Sequence, residues 1–337
     1  MTQKTIFKTL SVVLLLTLCV SFYSCEKEGV FNPKQKISKI YADFERTITV
    51  WDPETGEYTY KHLSFPKQMV QQWRWDDNQL SKIDFWSFYF WWEDEILEPR
   101  LWGTDHYYYE NNRLVRINSE DGYTAKITYD GDKYKKMEFF NDYDDIWLIM
   151  NYVYEHNKIS QVKIEVNWNE WKKETETKIL STFLPKEMVY RMVQKSEKKK
   201  STKSINTDIY TINYTYTGNN IKEMILENID NYGDMYRITA NYLLYDTKQN
   251  PFYKKVESGL EGEFMFGSTV VSSKNNPLEV RFTEYEEYHG ASYTERTTYK
   301  YTYVYNKNYP IEIQVQTIWE DEEDEDIEVN KIYYEYQ

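Results

Sequence analysis

Six stretches of the chain repeat one pattern, and this repeat constrains the fold more than any other feature. Each has an aromatic or apolar residue, any residue, and a second aromatic residue. Counted from that second aromatic residue, Asn or Asp follows at +3, and mostly apolar or aromatic residues follow at +5 and +8. The second aromatic residues are Trp75, Tyr109, Tyr129, Tyr154, Tyr216 and Tyr305.

The pattern predicts a β-hairpin. Alternation places the two aromatic residues on one face of the first strand. Asn, Asp and Gly tolerate the positive φ of a tight reversal, so their clusters indicate the turn. The residues at +5 and +8 begin the returning strand but differ in parity. That strand therefore either contains a bulge or buries both of its faces.

Other segments alternate in the same way. Tyr299, Tyr301, Tyr303 and Tyr305 share one face, which is typical of an antiparallel strand with one wet side. Ile311, Ile313, Val315 and Trp319 are expected to share a face as well. Between residues 83 and 92 both faces are aromatic, so this strand is either covered on both sides or offers one face to a ligand.

Composition agrees with strands. Aromatic residues make up 18% of the chain, with 34 Tyr and 11 Trp, and these are strand formers. The helical candidate is a segment near 185–195. We predict an all-β, antiparallel meander of many hairpins that forms a barrel-like or strongly curved sheet of roughly 15 to 20 strands. It is expected to be soluble rather than membrane-spanning, because segments such as 253–256 and 279–282 lack a clean lipid-facing side.

Three motifs resemble a known family. They are residues 245–252 (Tyr-Asp-Thr-Lys-Gln-Asn-Pro-Phe), residues 276–278 (Asn-Pro-Leu), and residues 301–311, where three alternating Tyr lead into Tyr-Pro-Ile. They look like a family of Bacteroidetes lipoproteins whose domain has no known function and is described as porin-like in fold. The resemblance implies a meandering antiparallel barrel or curved sheet, and it implies no activity.

The N-terminus predicts export and lipidation. Lys4 and Lys8 precede an uncharged apolar run at 10–20, which is too short to span a membrane and suits a signal peptide. Ser24 then precedes Cys25, as lipoprotein processing requires. An ordinary secretory signal with an incidental Cys is the alternative, since Phe22 and Tyr23 depart from the usual lipobox.

These features predict the domain organisation. Residues 1–24 form the signal peptide, 25–36 the lipidated Cys25 and its tether, and 37–337 a single large β domain, with a candidate internal boundary near 196–206. The chain has two Cys, one of them within the signal, so no disulfide is expected in the mature protein. The acidic and Lys residues after Cys25 favour the outer surface of the outer membrane, with the periplasmic face as the alternative.

Charge excludes some partners. The chain carries −14, and removal of a signal peptide with two Lys and no acidic residue leaves −16. This argues against nucleic acid and against electrostatic docking of the whole protein on anionic lipid. The membrane is therefore expected to be a partner through the lipid on Cys25, beside a glycan or protein partner.

Catalytic motifs are missing from the sequence. None of the four His lies within four residues of another His or of a Cys, so we expect no metal site and no cofactor. Acidic runs at 142–145 and 320–326 are interpreted as solvated hairpin tips, although calcium remains an alternative. A catalytic carboxylate pair stays open as well, but nothing selects one, and we expect a protein that is not an enzyme.

Tryptophans are the candidate ligand-binding residues. Trp168 and Trp171 lie three residues apart in a polar, turn-like stretch, where they could form a stacking platform for a sugar ring. Trp86 and Trp92 are further candidates, although they and Trp102 are also interpreted as core residues. The sequence thus favours a non-enzymatic surface protein that binds glycan or another extracellular ligand. The alternative is a structural or accessory subunit of an outer-membrane protein complex.

Overall fold

The computed structural model describes a large part of the chain. The described residues are 28–52, 56–91, 96–120, 122–167, 180–181, 184–199, 207–229, 235–255, 273–288, 291–320 and 325–337. Within them the chain forms one α-helix of more than two turns, α1 (Lys186–Lys199), and sixteen strands. The strands are β1 (Ile37–Asp52), β2 (Glu57–Asp76), β3 (Gln79–Trp91), β4 (Ile96–Glu110), β5 (Arg113–Ser119), β6 (Tyr123–Asp130), β7 (Lys133–Asn141), β8 (Ile146–Glu155), β9 (Lys158–Asn167), β10 (Thr207–Thr217), β11 (Asn220–Ile229), β12 (Met235–Gln249), β13 (Asn275–Tyr288), β14 (Ala291–Asn306), β15 (Tyr309–Glu320) and β16 (Glu325–Tyr336).

The strands form a closed antiparallel barrel. Each pairs with its neighbour in sequence, and β1 pairs with β16 to complete the circle. At this seam Ile40 lies opposite Tyr334 and Ala42 opposite Ile332. The predicted all-β meander is therefore confirmed, and α1 lies where the sequence indicated a helix. The candidate boundary near 196–206 stays a prediction.

The interior of the barrel is apolar and its exterior is polar. On β6, Tyr123, Ala125 and Ile127 are buried, whereas Lys126 between them is exposed. On β9, Val162, Ile164 and Val166 are buried in the same alternation. The inward faces of the strands thus form one continuous hydrophobic core, whose burial is the main favourable contribution to folding.

The six repeats are hairpins with one shared geometry. The residue at +2 has positive φ in every case, and these residues are Asp77, Asn111, Gly131, His156, Gly218 and Lys307. The strand register then shifts by one residue, because Trp75 pairs with Leu80 while Arg74 pairs with Lys82. The same shift recurs in the other five hairpins and leaves one unpaired residue at +6.

This bulge resolves the parity problem of the repeat. An extra residue at +6 turns both +5 and +8 towards the interior, so Leu80 and Ile83 are both buried. It also corrects one expectation. Ile311 is the +6 residue of the last repeat and is exposed, so it does not share the buried face of Ile313 and Val315.

Neighbouring hairpins are joined through the residue at +5. In three of the hairpins its backbone C=O accepts a hydrogen bond from a Tyr hydroxyl on the next strand. Tyr245 Oη donates to Ile221 O at 2.8 Å, and Tyr336 Oη donates to Pro310 O at 2.7 Å. Tyr129 Oη donates to Leu114 O in the same way. The bulge frees these backbone groups from regular pairing, and the tyrosines satisfy them.

Removing one such hydroxyl should cost stability. In Tyr245→Phe, Ile221 O loses its donor and the 2.8 Å contact with Ser273 Oγ is lost, so we expect a loss of about 1–3 kcal/mol in urea unfolding. Tyr236 on the same strand is the matched control, because its buried hydroxyl has no hydrogen-bond partner among the described residues. Tyr236→Phe should be neutral or stabilising. Equal losses in both variants would contradict this role of Tyr245.

The two ends of the barrel differ. The turn end carries six tight reversals (76–79, 110–113, 130–133, 155–158, 217–220 and 306–309) together with residues 28–36, 248–255 and 273–275. Here the Phe252 ring packs against Trp73 and Tyr334, with ring centroids 6.1 and 5.9 Å apart. The loop end carries the other connections and α1. Both ends are therefore covered by chain segments that contribute buried side chains, such as Phe252 and Met188.

None of the described helices is long and apolar enough to cross a membrane.

Candidate functional site

The hairpin of β1 and β2 extends beyond the barrel at the loop end. β16 pairs with β1 only up to Ala42, and β3 pairs with β2 only as far as Gln71. The pairing of β1 with β2 nevertheless continues from Phe44 opposite Phe65 to Asp52 opposite Glu57. The described residues of 44–65 thus form a two-stranded projection that we call the first arm.

The hairpin of β3 and β4 extends in the same way. Its strands remain paired from Trp86 opposite Leu101 to Trp91 opposite Ile96. β4 pairs with β5 only from Asp105 onwards. The described residues of 86–101 form the second arm. Trp102 is the bulge residue at its base and is 43% exposed, so the interpretation of Trp102 as a core residue is wrong.

The two arms pack against each other through apolar side chains. The rings of Phe44 and Phe88 have centroids 4.5 Å apart. Ile48, which shares the face of Phe44, is 4% exposed. This contact stabilises the arms. They extend beyond the loop end of the barrel, and in the described register they pair with no third strand over most of their length.

The opposite face of the first arm is aromatic and exposed. Trp51 lies opposite Tyr58, and Tyr60 is two residues further along the same strand. The exposed fractions are 52% for Trp51, 68% for Tyr58 and 81% for Tyr60. The Trp51 and Tyr58 rings meet edge to face, with centroids 4.9 Å apart. We call this surface the aromatic face; its residues are Glu45, Thr47, Thr49, Trp51, Tyr58, Tyr60 and His62.

Polar groups continue the aromatic face towards the barrel. Thr47 Oγ1 lies 3.4 Å from His62 Nδ1, and His62 Nε2 lies 3.4 Å from Glu45 Oε2. These three side chains are held in one row beside Tyr60. The aromatic face therefore combines rings for stacking with hydrogen-bonding groups at one edge, which is a typical composition of ligand-binding surfaces.

Of the four predicted ligand-binding tryptophans, the structure describes the side chain of Trp86. Trp86 lies on the second arm and is partly buried; its Nε1 is enclosed and has no hydrogen-bond partner among the described residues. Trp92, Trp168 and Trp171 lie outside the residues whose side chains are described, as does Cys25. Their predicted roles therefore remain predictions.

Sequence reasoning missed the aromatic face. Its signal was present, because Tyr58 and Tyr60 alternate with charged or polar residues and no apolar residue occupies the other face between Glu57 and Lys61. A strand without any apolar face indicates an element outside the core. The repeat pattern predicts the barrel hairpins, but it does not occur in residues 44–65 of β1 and β2.

A partly buried ion-pair cluster holds α1 in place. The Arg191 guanidinium contacts the carboxylates of Glu284, Glu286 and Glu295, which lie on β13 and β14. In addition, Tyr210 Oη donates to Met192 O at 3.2 Å. Burial raises the pKa of Glu284 to about 7, although Arg191 acts in the opposite direction. One cation thus faces three carboxylates between the helix and the barrel.

The raised pKa of Glu284 predicts a pH dependence. Because the folded pKa exceeds the unfolded one, the folded state gains stability relative to the unfolded state as pH falls through 7. Gln at this position cannot respond. The stability of the wild type minus that of Glu284→Gln should therefore be larger at pH 5 than at pH 8 in urea unfolding. The reverse order would mean that attraction to Arg191 outweighs desolvation.

A cavity lined by described residues at the turn end is small. Gly29, Phe31, Leu80, Tyr107 and Leu114 are among the residues that line a cavity of about 10 Å³. This is about the room that a single water molecule needs. The exposed surfaces of the arms are thus better candidates for ligand binding than this cavity.

Comparisons with known proteins concern the fold. No family model and no curated protein match the sequence. The chain is similar to the crystal structure of a porin-like protein from Bacteroides uniformis, with a TM-score of 0.48 and 10% sequence identity. The similarity covers 92% of this chain and 100% of that one. Membership of a lipoprotein family therefore stays a prediction, whereas the strand order itself confirms the antiparallel barrel.

Proposed function

We propose that this protein is a lipid-anchored, non-catalytic binding protein of the bacterial cell surface, and that the aromatic face of the first arm binds a glycan. The carrying observation is the exposed row of Trp51, Tyr58 and Tyr60, which continues into polar side chains. Large exposed aromatic side chains in one row are rarely left without a partner. The anchor is the lipid on Cys25.

The chemistry of the aromatic face favours a sugar over a wholly apolar ligand. Sugar rings have apolar faces that stack on aromatic rings and hydroxyl groups that need hydrogen-bond partners. Tyr58 and Tyr60 lie two residues apart on one strand, which separates them by about 7 Å. His62, Thr47 and Glu45 offer donors and acceptors next to them. The surface is also open to water, which favours binding over a reaction that needs water to be excluded.

The charged exterior of the barrel supports the proposal that the barrel lies outside the bilayer. The outward-facing side chains include Lys126 on β6, Glu138 on β7 and Lys163 on β9. Charged side chains on the lipid-facing side of a barrel cost up to about 2–4 kcal/mol each for basic residues. The N-terminal lipid would then be the membrane attachment.

Changing the aromatic face should affect binding and leave stability intact. Because both rings are exposed, the double change Tyr58→Ala and Tyr60→Ala should alter stability by only about 0.5 kcal/mol per site. Each stacked ring is worth about 0.5–1.5 kcal/mol, so glycan affinity should fall about tenfold or more. The wild type is first screened on a glycan array, and the affinity for the best ligand is then measured by calorimetry.

Tyr143→Ala is the matched control, because Tyr143 is similarly exposed at the loop end but lies between β7 and β8, which pair with neither arm. Its affinity should equal that of the wild type. A screen without any glycan bound, or an affinity that the double variant leaves unchanged, contradicts glycan binding at this face.

A second function is favoured by the strand edges of the arms. In the described register β2 pairs with β3 only from Gln71 onwards, and a strand that extends beyond its neighbour is a position at which a further strand can pair. This supports the alternative of an accessory subunit that recognises a protein of an outer-membrane complex. A photo-crosslinking residue at Thr59 tests it. One defined protein adduct, with no glycan bound by the wild type, would favour the subunit.

A further inference from the structure

The first described residues are fixed at the turn end of the barrel. Glu28 N donates to Asp132 O at 2.9 Å, and Leu114 N donates to Gly29 O at 3.0 Å. Arg113 Nε also donates to Glu28 O at 3.1 Å. Residue 28 is thereby bound to the reversals after β4 and β6, and the chain enters the barrel from this end.

The sequence leaves little distance between this point and the proposed lipid. Cys25 precedes Glu28 by three residues. A fully extended chain spans at most about 3.3–3.6 Å per residue, so these residues reach about 10 Å. A ten-residue strand such as β9, tilted as in a barrel, separates the loop end from the turn end by about 25 Å. A lipid on Cys25 can therefore bring the turn end to a membrane surface without bringing the loop end there.

The two ends of the barrel also differ in their charged residues. In the residue ranges that define the turn end, the chain has ten basic and seven acidic residues. The basic residues are Lys34, Lys36, Arg113, Lys133, Lys158, Lys248, Lys254, Lys255, Lys274 and Lys307.

The reversals of the loop end are acidic. The reversals with described side chains contribute six acidic residues and no basic one, and α1 adds five basic and two acidic residues. The acidic residues of these reversals are Glu57, Glu120, Asp142, Asp144, Asp145 and Glu320. The described reversals of the loop end are thus acidic, whereas the described ranges of the turn end mix basic and acidic residues, in a chain of net charge −14.

We propose that the turn end faces the membrane, where exposed lysines such as Lys274 and Lys307 contact phosphate headgroups, and that the arms point away from the membrane. This inference rests on the lipidation of Cys25 in the proposed function. The net negative charge of the protein opposes docking as a whole, so the lipid supplies the membrane affinity. The short tether and the acidic reversals of the loop end then select the orientation, because the tether keeps the turn end near the bilayer and anionic headgroups repel the loop end. The aromatic face is thereby presented to the surroundings.

Single cysteines can test the orientation. The lipidated mature chain has no other thiol, since its one Cys is the acylated residue. Asn308→Cys places a fluorophore at the turn end, and Tyr143→Cys places it at the loop end; both residues are exposed. The purified full-length lipoprotein is reconstituted into vesicles of phosphatidylethanolamine and phosphatidylglycerol with a headgroup nitroxide lipid. We expect quenching at 308 to be several-fold stronger than at 143.

The role of the lysines is tested in the same vesicles. Lys274→Glu combined with Lys307→Glu should lower the quenching at 308 when phosphatidylglycerol is present, and should change it little in zwitterionic phosphatidylcholine vesicles. An undiminished signal in both would overturn the lysine contact. Equal quenching at 308 and 143, or stronger quenching at 143, in protein that floats with the vesicles would overturn the orientation. Protein that fails to float indicates instead that the anchor itself is missing.

Discussion

Cys25→Ala should abolish acylation and release the protein from the membrane or leave it as an unprocessed precursor. The thiol of Cys25 is the expected acceptor of the diacylglyceryl group, and no other residue can replace it. Each buried methylene of an acyl chain contributes about 0.8 kcal/mol to membrane binding, so the loss of all chains amounts to complete loss of anchoring. Metabolic labelling with a palmitate analogue and membrane fractionation measure both effects.

Cys19→Ala is the control for this change. Cys19 follows Leu18, which is too bulky for the residue before a lipidated Cys, and it lies within the expected signal peptide. The variant should be labelled and anchored like the wild type. A labelled, membrane-bound Cys25→Ala protein would show that the chain is attached in another way, and the orientation proposed above would then lose its basis.

Arg191→Met should destabilise the protein strongly at pH 8. The side chain of Arg191 is 16% exposed and that of Glu284 15%, so both charges are largely removed from water. Met keeps most of the volume but removes the guanidinium that faces the three carboxylates. Removal of one partner from a buried ion pair typically costs about 3–5 kcal/mol, and because Glu286 and Glu295 are 30% and 43% exposed the loss should lie towards the lower end of that range. Urea unfolding followed by tryptophan fluorescence measures the loss.

Arg237→Met is the matched control on the barrel exterior. The Arg237 guanidinium pairs with Glu227 across β11 and β12, and its side chain is 47% exposed. An exposed pair contributes about 0–1 kcal/mol, so this variant should stay close to the wild type. If the two Arg variants lose equal stability, the cluster around Arg191 has no special role in holding α1 against the barrel.

The sequence was most informative where a physical requirement repeats. Six reversals need positive φ next to the turn, and six returning strands need apolar residues at +5 and +8, so the hairpins could be predicted. The bulge at +6 could only be suspected, because the unpaired residue follows no common chemistry: Ser81, Lys135 and Ile311 all occupy it. The closure of β1 on β16 joins distant segments and left no local signal.

The candidate site was less predictable for a related reason. The exposure of Trp51, Tyr58 and Tyr60 depends on where β16 and β3 stop pairing with the first arm, and a strand's own sequence does not state the length of its neighbours. Trp102 was interpreted as core because aromatic residues are usually buried there, yet the register shift at the base of the second arm turns it to solvent. Burial in a barrel is set by register as much as by residue type.

The meander also determines how such a chain can assemble. Fifteen of the sixteen strand pairings join neighbours in sequence, and a single seam joins β1 to β16. Local pairings close short loops at low entropic cost, whereas the seam must bring the two ends of the domain together. Folding can therefore proceed as a sheet that grows by adding successive hairpins and closes last. Until that closure, β1 and β16 are open edges, and the seam is the position at which two copies could exchange strands.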